Sequence, residues 1–270
     1  MDNRRIGLFD SGLGGLTVMK ELMQLLPNES IVYFGDTGRI PYGTKSVDTV
    51  IKYTKSDINF LKTFDLKAIV TACGTASAIA LPHLANQYDI PVMGVVAPAA
   101  RAAARATKNG CIGVIGTNGT VRSDAYRKIL EKENPAIQTV SVACPLFVPL
   151  VESGYAEKAA TKMIAEEYLK PIIESGADTL ILGCTHYPLL KKVIAEVMGE
   201  HVTLINPGVS TAYEVKEMLG EKGLLAEEPH KEQYRFYVSD DPSDFAKLGS
   251  LFLERSISGL AEQVDIEQYI

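Results

Sequence analysis

Short, continuously apolar or β-branched runs recur along the chain at residues 6–9, 31–34, 68–70, 92–96, 112–115, 139–142, 179–182 and 202–205. Runs of this length and character fit strands covered on both faces. Between them lie stretches with apolar residues at helical spacing, at 16–26, 47–61, 120–131, 156–173 and 191–198. Strands alternating with helices predict an α/β fold built on mostly parallel sheets. Ligands in such folds bind beyond the carboxyl ends of strands, where loops lead into helices.

The pattern also echoes itself. Ile6-Gly7-Leu8-Phe9 leads into a polar, Gly-rich turn and then Thr17-Val18. Ile112-Gly113-Val114-Ile115 leads into Gly116-Thr117-Asn118-Gly119 and then Thr120-Val121. At a similar distance after each echo comes a junction of strand, cysteine and helix, at Cys73 and at Cys184. Read as a duplication, this predicts two pseudo-symmetric parallel-sheet α/β domains with the active site in the cleft between them. Pro98 and Pro207 interrupt the pattern near 97–99 and 206–208, where the chain is expected to cross between domains. Residues 1–97 with 207–270 then form the domain carrying Cys73, and residues 98–206 the domain carrying Cys184. The polar region 221–233 reads as a surface connection.

Composition narrows the partners. A net charge of -6 speaks against a nucleic-acid or anionic-membrane surface, since binding phosphate needs a basic field. No apolar run reaches bilayer length, and Met1-Asp2-Asn3-Arg4-Arg5 leads straight into a strand, leaving no room for a signal peptide. A cytoplasmic location is expected. The four cysteines, Cys73, Cys111, Cys144 and Cys184, form no CxxC pair and no zinc-type spacing with histidine. They are expected to be free thiols, with Cys111 and Cys144 as core residues and no metal bound.

Candidate chemistry concentrates where strands end. In Thr71-Ala72-Cys73-Gly74-Thr75-Ala76-Ser77 a buried strand ends at a thiol and small residues begin a helix, whose N-terminal partial charge favours thiolate. Leu182-Gly183-Cys184-Thr185-His186-Tyr187-Pro188 repeats that setting with a histidine two residues on. Two ionisable groups at one strand end are hard to explain by packing. Asp10-Ser11-Gly12-Leu13-Gly14-Gly15 puts a carboxylate and backbone N–H groups after the first strand. It falls short of the dinucleotide fingerprint because position 17 is Thr, and no Walker lysine follows, so no nucleotide is expected. The loop 35–43 contains the turn Pro41-Tyr42-Gly43, and Glu152 ends an apolar run.

Two thiols with Asp, Glu and His nearby and no cofactor suit proton exchange at carbon. A thiol near its ordinary pKa of about 8.5 can be tuned to exist as thiol and thiolate near neutrality. One thiolate takes a proton from one face, one thiol delivers a proton to the other, and the stereocentre inverts.

Together these segments resemble the glutamate racemases of the aspartate/glutamate racemase superfamily. The matching residues are Asp10-Ser11-Gly12 with Gly14-Gly15-Leu16-Thr17, Gly35-Asp36-Thr37, Pro41-Tyr42-Gly43, Ala72-Cys73 with Thr75-Ala76, Gly113-Val114-Ile115-Gly116-Thr117, Val151-Glu152-Ser153 and Gly183-Cys184-Thr185-His186-Tyr187-Pro188. They run in family order from about residue 6 to 210, and the last sixty residues add little to the match. The resemblance implies a pyridoxal-independent, two-base interconversion of L- and D-glutamate that feeds peptidoglycan, with Cys73 and Cys184 flanking the α-carbon. It implies Asp10 as helper to Cys73, His186 as helper to Cys184, and Glu152 as an acid tuning the site. It implies substrate contacts from Asp10, Ser11, Tyr42, Gly43, Gly74, Thr75, Thr117, Thr120, Thr185 and His186. A small-molecule substrate is the expected partner, with a homodimer as the expected assembly.

Two positions depart from the family pattern. Gly74 stands where Asn is usual, which removes an amide expected to reach the substrate. Ile40 stands where Cys is common, at a position with no expected chemistry. Three rival readings are a racemase of another amino acid such as aspartate, a catalytically silent amino-acid-binding regulator, and a redox protein pairing Cys73 with Cys184.

Overall fold

The structure, a computed structural model, describes residues 2–229 and 233–270. The connection read at 221–233 therefore lies partly outside the described residues. Among the described residues ten strands run β1 (Arg5–Asp10), β2 (Ile31–Gly35), β3 (Leu66–Thr71), β4 (Val92–Gly94), β5 (Cys111–Gly116), β6 (Gln138–Ala143), β7 (Thr179–Leu182), β8 (Thr203–Ile205), β9 (Tyr234–Val238) and β10 (Ala261–Gln263). They form two sheets with every pairing parallel, ordered β10-β9-β2-β1-β3-β4 and β6-β5-β7-β8.

The order β2-β1-β3-β4 in the first sheet recurs as β6-β5-β7-β8 in the second. In each, the first strand is flanked by the second and third, and the fourth lies beyond the third. The α/β class with two pseudo-symmetric parallel sheets is as the sequence pattern predicts. Cys73 follows β3 and Cys184 follows β7, so the thiols occupy equivalent places.

The central strands explain their own sequences. Every residue of β3, β5 and β7 is buried, as is β1 from Ile6 onward. Each fully buried aliphatic side chain there contributes about 1.5–3 kcal/mol. Edge strand β6 departs from the expectation of cover on both faces, since its residues are exposed or half-buried.

Local expectations fail at specific positions. The stretch 120–131 is two helices, Asn118–Ser123 and Ala125–Glu133, broken at Asp124 with φ 58°. Aspartate tolerates this left-handed conformation better than most residues, and Arg127 holds its carboxylate. The run 92–96 stops being strand at Gly94, because Val96 begins a helix. Pro98 and Pro207 lie inside helices, Val96–Ala106 and Pro207–Glu221, each within the first turn. A proline there forfeits no helical hydrogen bond, since the first N–H groups have no partner in the helix. These two helices pack against each other, and Arg101 on one grips Glu214 on the other through Nε–Oε1 at 2.8 Å and Nη2–Oε2 at 2.5 Å. Among the described residues no helix is long and apolar enough to cross a membrane.

Candidate active site

Loops following the strand ends of both sheets line one cavity of about 360 Å³. From the first sheet come Asp10, Ser11, Tyr42, Gly43, Cys73, Gly74 and Thr75. From the second come Thr117, Glu152, Cys184, Thr185 and His186. Both thiols thus face the same cavity, each nearly buried at 4% and 7% exposure.

Cys73 caps the helix Gly74–Ile79, its Sγ accepting from the Ala76 N–H at 3.5 Å. Its thiol also lies 3.5 Å from Ser11 Oγ. Burial, then the neighbouring Asp10 charge, push the thiol up to about 12 against the pull of these hydrogen bonds. Cys73 therefore rests as a thiol near neutrality. Asp10 is itself buried, with one carboxylate oxygen accepting from Gly12 N–H at 3.2 Å and the other without a protein partner. Burial raises its carboxyl, while the charge of His186 and local backbone N–H groups oppose.

The second thiol has a relay behind it. His186 Nδ1 lies 3.9 Å from Cys184 Sγ, and Nε2 lies 2.9 Å from Glu152 Oε1. Glu152 ends the helix Phe147–Glu152, 34 positions from its partner in the chain. Burial works to lower the imidazole. Hydrogen bonds and charge from Cys184 and Glu152 outweigh it and bring His186 up to about 10.

That shift predicts a pH signature. The folded-state value is raised above the unfolded value of about 6.5, so the stability it contributes is complete below that pH. It is lost as pH rises through about 10. Glu152→Gln removes one of the two supports. Its deficit in melting temperature relative to wild type should be clear at neutral pH and shrink towards pH 10; a deficit that stays constant would show that the pair is not held by this proton.

Contacts between the sheets fix the cavity walls. Thr75 and Thr117 hydroxyls meet at 2.9 Å, and Thr17 Oγ1 donates to the Thr185 carbonyl at 2.9 Å. A Cβ on Gly14 would lie 2.1 Å from Thr185 Oγ1 and 2.5 Å from His186 Nδ1, so any side chain there would displace the Thr185 and His186 side chains from the site.

Several expected residues sit differently than expected. Thr120 lies behind the wall, its hydroxyl 3.1 Å from that of Thr117. The hydroxyl of Tyr42 turns away into a buried pair, Asp36 and Asp57, leaving the rest of the residue at the cavity. Asn118 also lines the cavity, at a position outside the expected site residues. The echo contained it, since Asn118 follows Thr117 as Gly12 follows Ser11. Ile40 lies at the rim, 46% exposed. The C-terminal segment matters too, because Phe252 of the helix Pro242–Leu253 packs edge-on against His186, with ring centroids 5.4 Å apart. All four cysteines are unpaired, and Cys111 and Cys144 are buried outside the cavity lining.

A family model for Asp/Glu/hydantoin racemases matches residues 7–215, which include both thiols. The chain is 48% identical over 264 residues to a glutamate racemase of Geobacter metallireducens, covering 98% of this chain and 97% of that one. A solved glutamate racemase isoform from Bacillus anthracis is similar at a TM-score of 0.93 and 42% identity, with 98% of each chain covered. A glutamate racemase from Francisella tularensis, solved in complex with D-glutamate, is similar at a TM-score of 0.92 and 40% identity over 100% of both chains. The chain belongs to the Asp/Glu/hydantoin racemase family, as an isomerase of its glutamate racemase branch.

Proposed function

We propose that the chain interconverts L- and D-glutamate by two-base proton transfer between Cys73 and Cys184. The observation that carries this reading is the pair of thiols at equivalent strand ends, facing one cavity. Asp10 serves Cys73, while His186, oriented by Glu152, serves Cys184. From L-glutamate, Cys184 takes the α-proton and Cys73, which rests as a thiol, protonates the opposite face. The reverse reaction exchanges these roles. Among the described residues no Lys or Arg lines the cavity. The substrate carboxylates are held by donors such as the hydroxyls of Ser11, Thr75, Thr117 and Thr185 and the amide of Asn118. Each such hydrogen bond to a charged group is worth about 1.5–3 kcal/mol.

In this reading the two halves are residues 1–97 with 207–270, and residues 98–206. D-Glutamate supplies peptidoglycan in the cytoplasm, where thiols stay reduced. A second copy of the chain is its expected partner.

Incubation with L-glutamate in deuterated water tests the reaction. The optical signal should decay to that of an equal mixture, with deuterium entering the α-position of the D-product. Faster turnover of aspartate under the same conditions would change the substrate. Absence of α-exchange with every acidic amino acid would leave only a binding protein on this fold.

A further inference from the structure

Behind the lip of the cleft lies a polar cluster that the proton transfer does not use. Asp36 follows β2, Arg39 ends the turn Thr37–Arg39, Tyr42 begins the turn Tyr42–Thr44, and Asp57 projects from the helix Val47–Leu61. Asp36 and Asp57 are each 0% exposed and Tyr42 is 1% exposed. Arg39 donates through Nε to Asp36 Oδ2 at 2.7 Å and through Nη2 to Asp57 Oδ1 at 2.9 Å. The Tyr42 hydroxyl is in hydrogen-bond contact with Oδ2 of Asp36 and, at 2.9 Å, with Oδ2 of Asp57.

The protons and charges in this cluster can be counted. One guanidinium faces two buried carboxyl groups. The remaining neighbours are Tyr53, whose ring lies 4.3 Å from the guanidinium, Ser239, which donates to Asp36 Oδ1, and Glu267, 61% exposed and 3.6 Å from Arg39 Nη1. Among the described residues none of these brings a second positive charge. A phenol has one proton and can donate to only one of the two carboxyl oxygens it touches. With both carboxyls ionised, the phenol oxygen would face a carboxylate oxygen with no proton between them, beside a buried charge lacking a counter-charge. Buried sites avoid that state by taking up a proton.

We propose that Asp57 is kept as a neutral carboxylic acid whose proton, donated to Tyr42 Oη, seats the lip formed by Pro41, Tyr42 and Gly43 over the cleft. Asp36 already accepts from Arg39, Tyr42 and Ser239 together, so the geometry puts the extra proton on Asp57. Burial first, and then the Asp36 charge, push the Asp57 carboxyl well above the usual carboxylate range. The lip reaches the second sheet's loops, where a Cβ on Gly43 would lie 2.7 Å from that of Thr117. Asp57 is thus a positioning residue for the glutamate reaction proposed above, and this part of the inference rests on that reading. As pH rises the proton is lost, two buried negative charges share one arginine, and the lip loosens.

Asp57→Asn tests this, since an amide mimics the neutral acid: its Nδ2 donates to Tyr42 and its Oδ1 accepts from Arg39. At neutral pH the variant should keep KM and kcat for glutamate within about twofold of wild type. Towards about pH 9 wild-type KM should rise several-fold more than that of the variant. A folded-state carboxyl raised above its unfolded value loses stability with rising pH, so the variant should gain in melting temperature on wild type between about pH 6 and about pH 9. An ordinary ionised salt-bridge partner would give the opposite: a melting temperature lowered equally at every pH, with KM raised about tenfold at neutrality. Either result overturns the proposal. Infrared spectroscopy of wild type, with Asp57→Asn as the reference, reads the protonated carboxyl stretch directly and needs no substrate. A band present in wild type without glutamate turnover would sink only the functional reading, and its absence from wild type would sink the neutral acid.

Discussion

Cys73→Ala and Cys184→Ala are each expected to lose racemisation by a factor of at least about a thousand, within the range that positioned acid/base groups contribute. The fold should survive, because each sulfur borders a cavity rather than filling the centre of a sheet. The loss should be total for practical purposes in both directions. Every turnover needs one group to take the proton and another to return one from the opposite face, so neither thiol can be spared. The half-reactions separate the roles. A chlorinated glutamate analogue that eliminates HCl after a single proton abstraction needs only one base. Cys73→Ser and Cys184→Ser should therefore process opposite stereoisomers of it. Wild-type racemisation in either alanine variant would end the two-thiol mechanism, and identical stereoisomer preferences would end the assignment of faces.

Gly74→Asn is expected to impair the enzyme rather than improve it. From sequence alone, the glycine looks like a missing amide that would donate to a substrate carboxylate. Such a bond is worth about 1.5–3 kcal/mol, or roughly tenfold in binding. The structure points the side chain elsewhere. A Cβ at position 74 would lie 2.6 Å from the carbonyl oxygen of Gly183, the residue before Cys184. Real Cβ atoms essentially never approach below 3.0 Å, and this neighbour is backbone that no rotamer change can move. The strand ends carrying the two thiols must separate to admit any side chain. Misplacement of reacting groups by about 1 Å costs on the order of a hundredfold, which outweighs the tenfold gain from an amide. Gly74→Ala carries the steric effect alone and should lower kcat/KM for glutamate by roughly ten- to a hundredfold. Gly74→Asn should fall as far or further. Tighter glutamate binding with undiminished kcat in the Asn variant would restore the missing-amide reading.

The strand ends were legible because burial on both faces leaves an unbroken apolar run, and the first polar residue after it marks the end. Asp10 is that residue after the first run and Cys184 after the run 179–182, while after the run 68–70 it is Thr71, with Cys73 two residues on. Pairings across the cleft were not legible. Nothing in the spacing joins Glu152 to His186, or Phe252 to His186, because those contacts exist only once two sheets and a C-terminal helix are assembled. Proline misled in the other direction. Pro98 and Pro207 looked like breaks because the residue reads the same at a helix start as at a helix end, and only the chain that follows decides which it is. Position 74 shows a similar limit: a glycine in sequence records an absent side chain but not the direction in which it would have pointed.

The grip of Arg101 on Glu214 constrains how one sheet can be displaced relative to the other. The backbone passes from one sheet to the other twice, through the helices Val96–Ala106 and Pro207–Glu221, and these lie side by side. Two covalent passages held together define a line. Rotation about that line stretches neither passage, whereas sliding one sheet along the other must drag both helices and break the ion pair. The paired helices therefore act as a spine that favours rotation about one line over sliding, with the two thiols lining the cavity between the sheets.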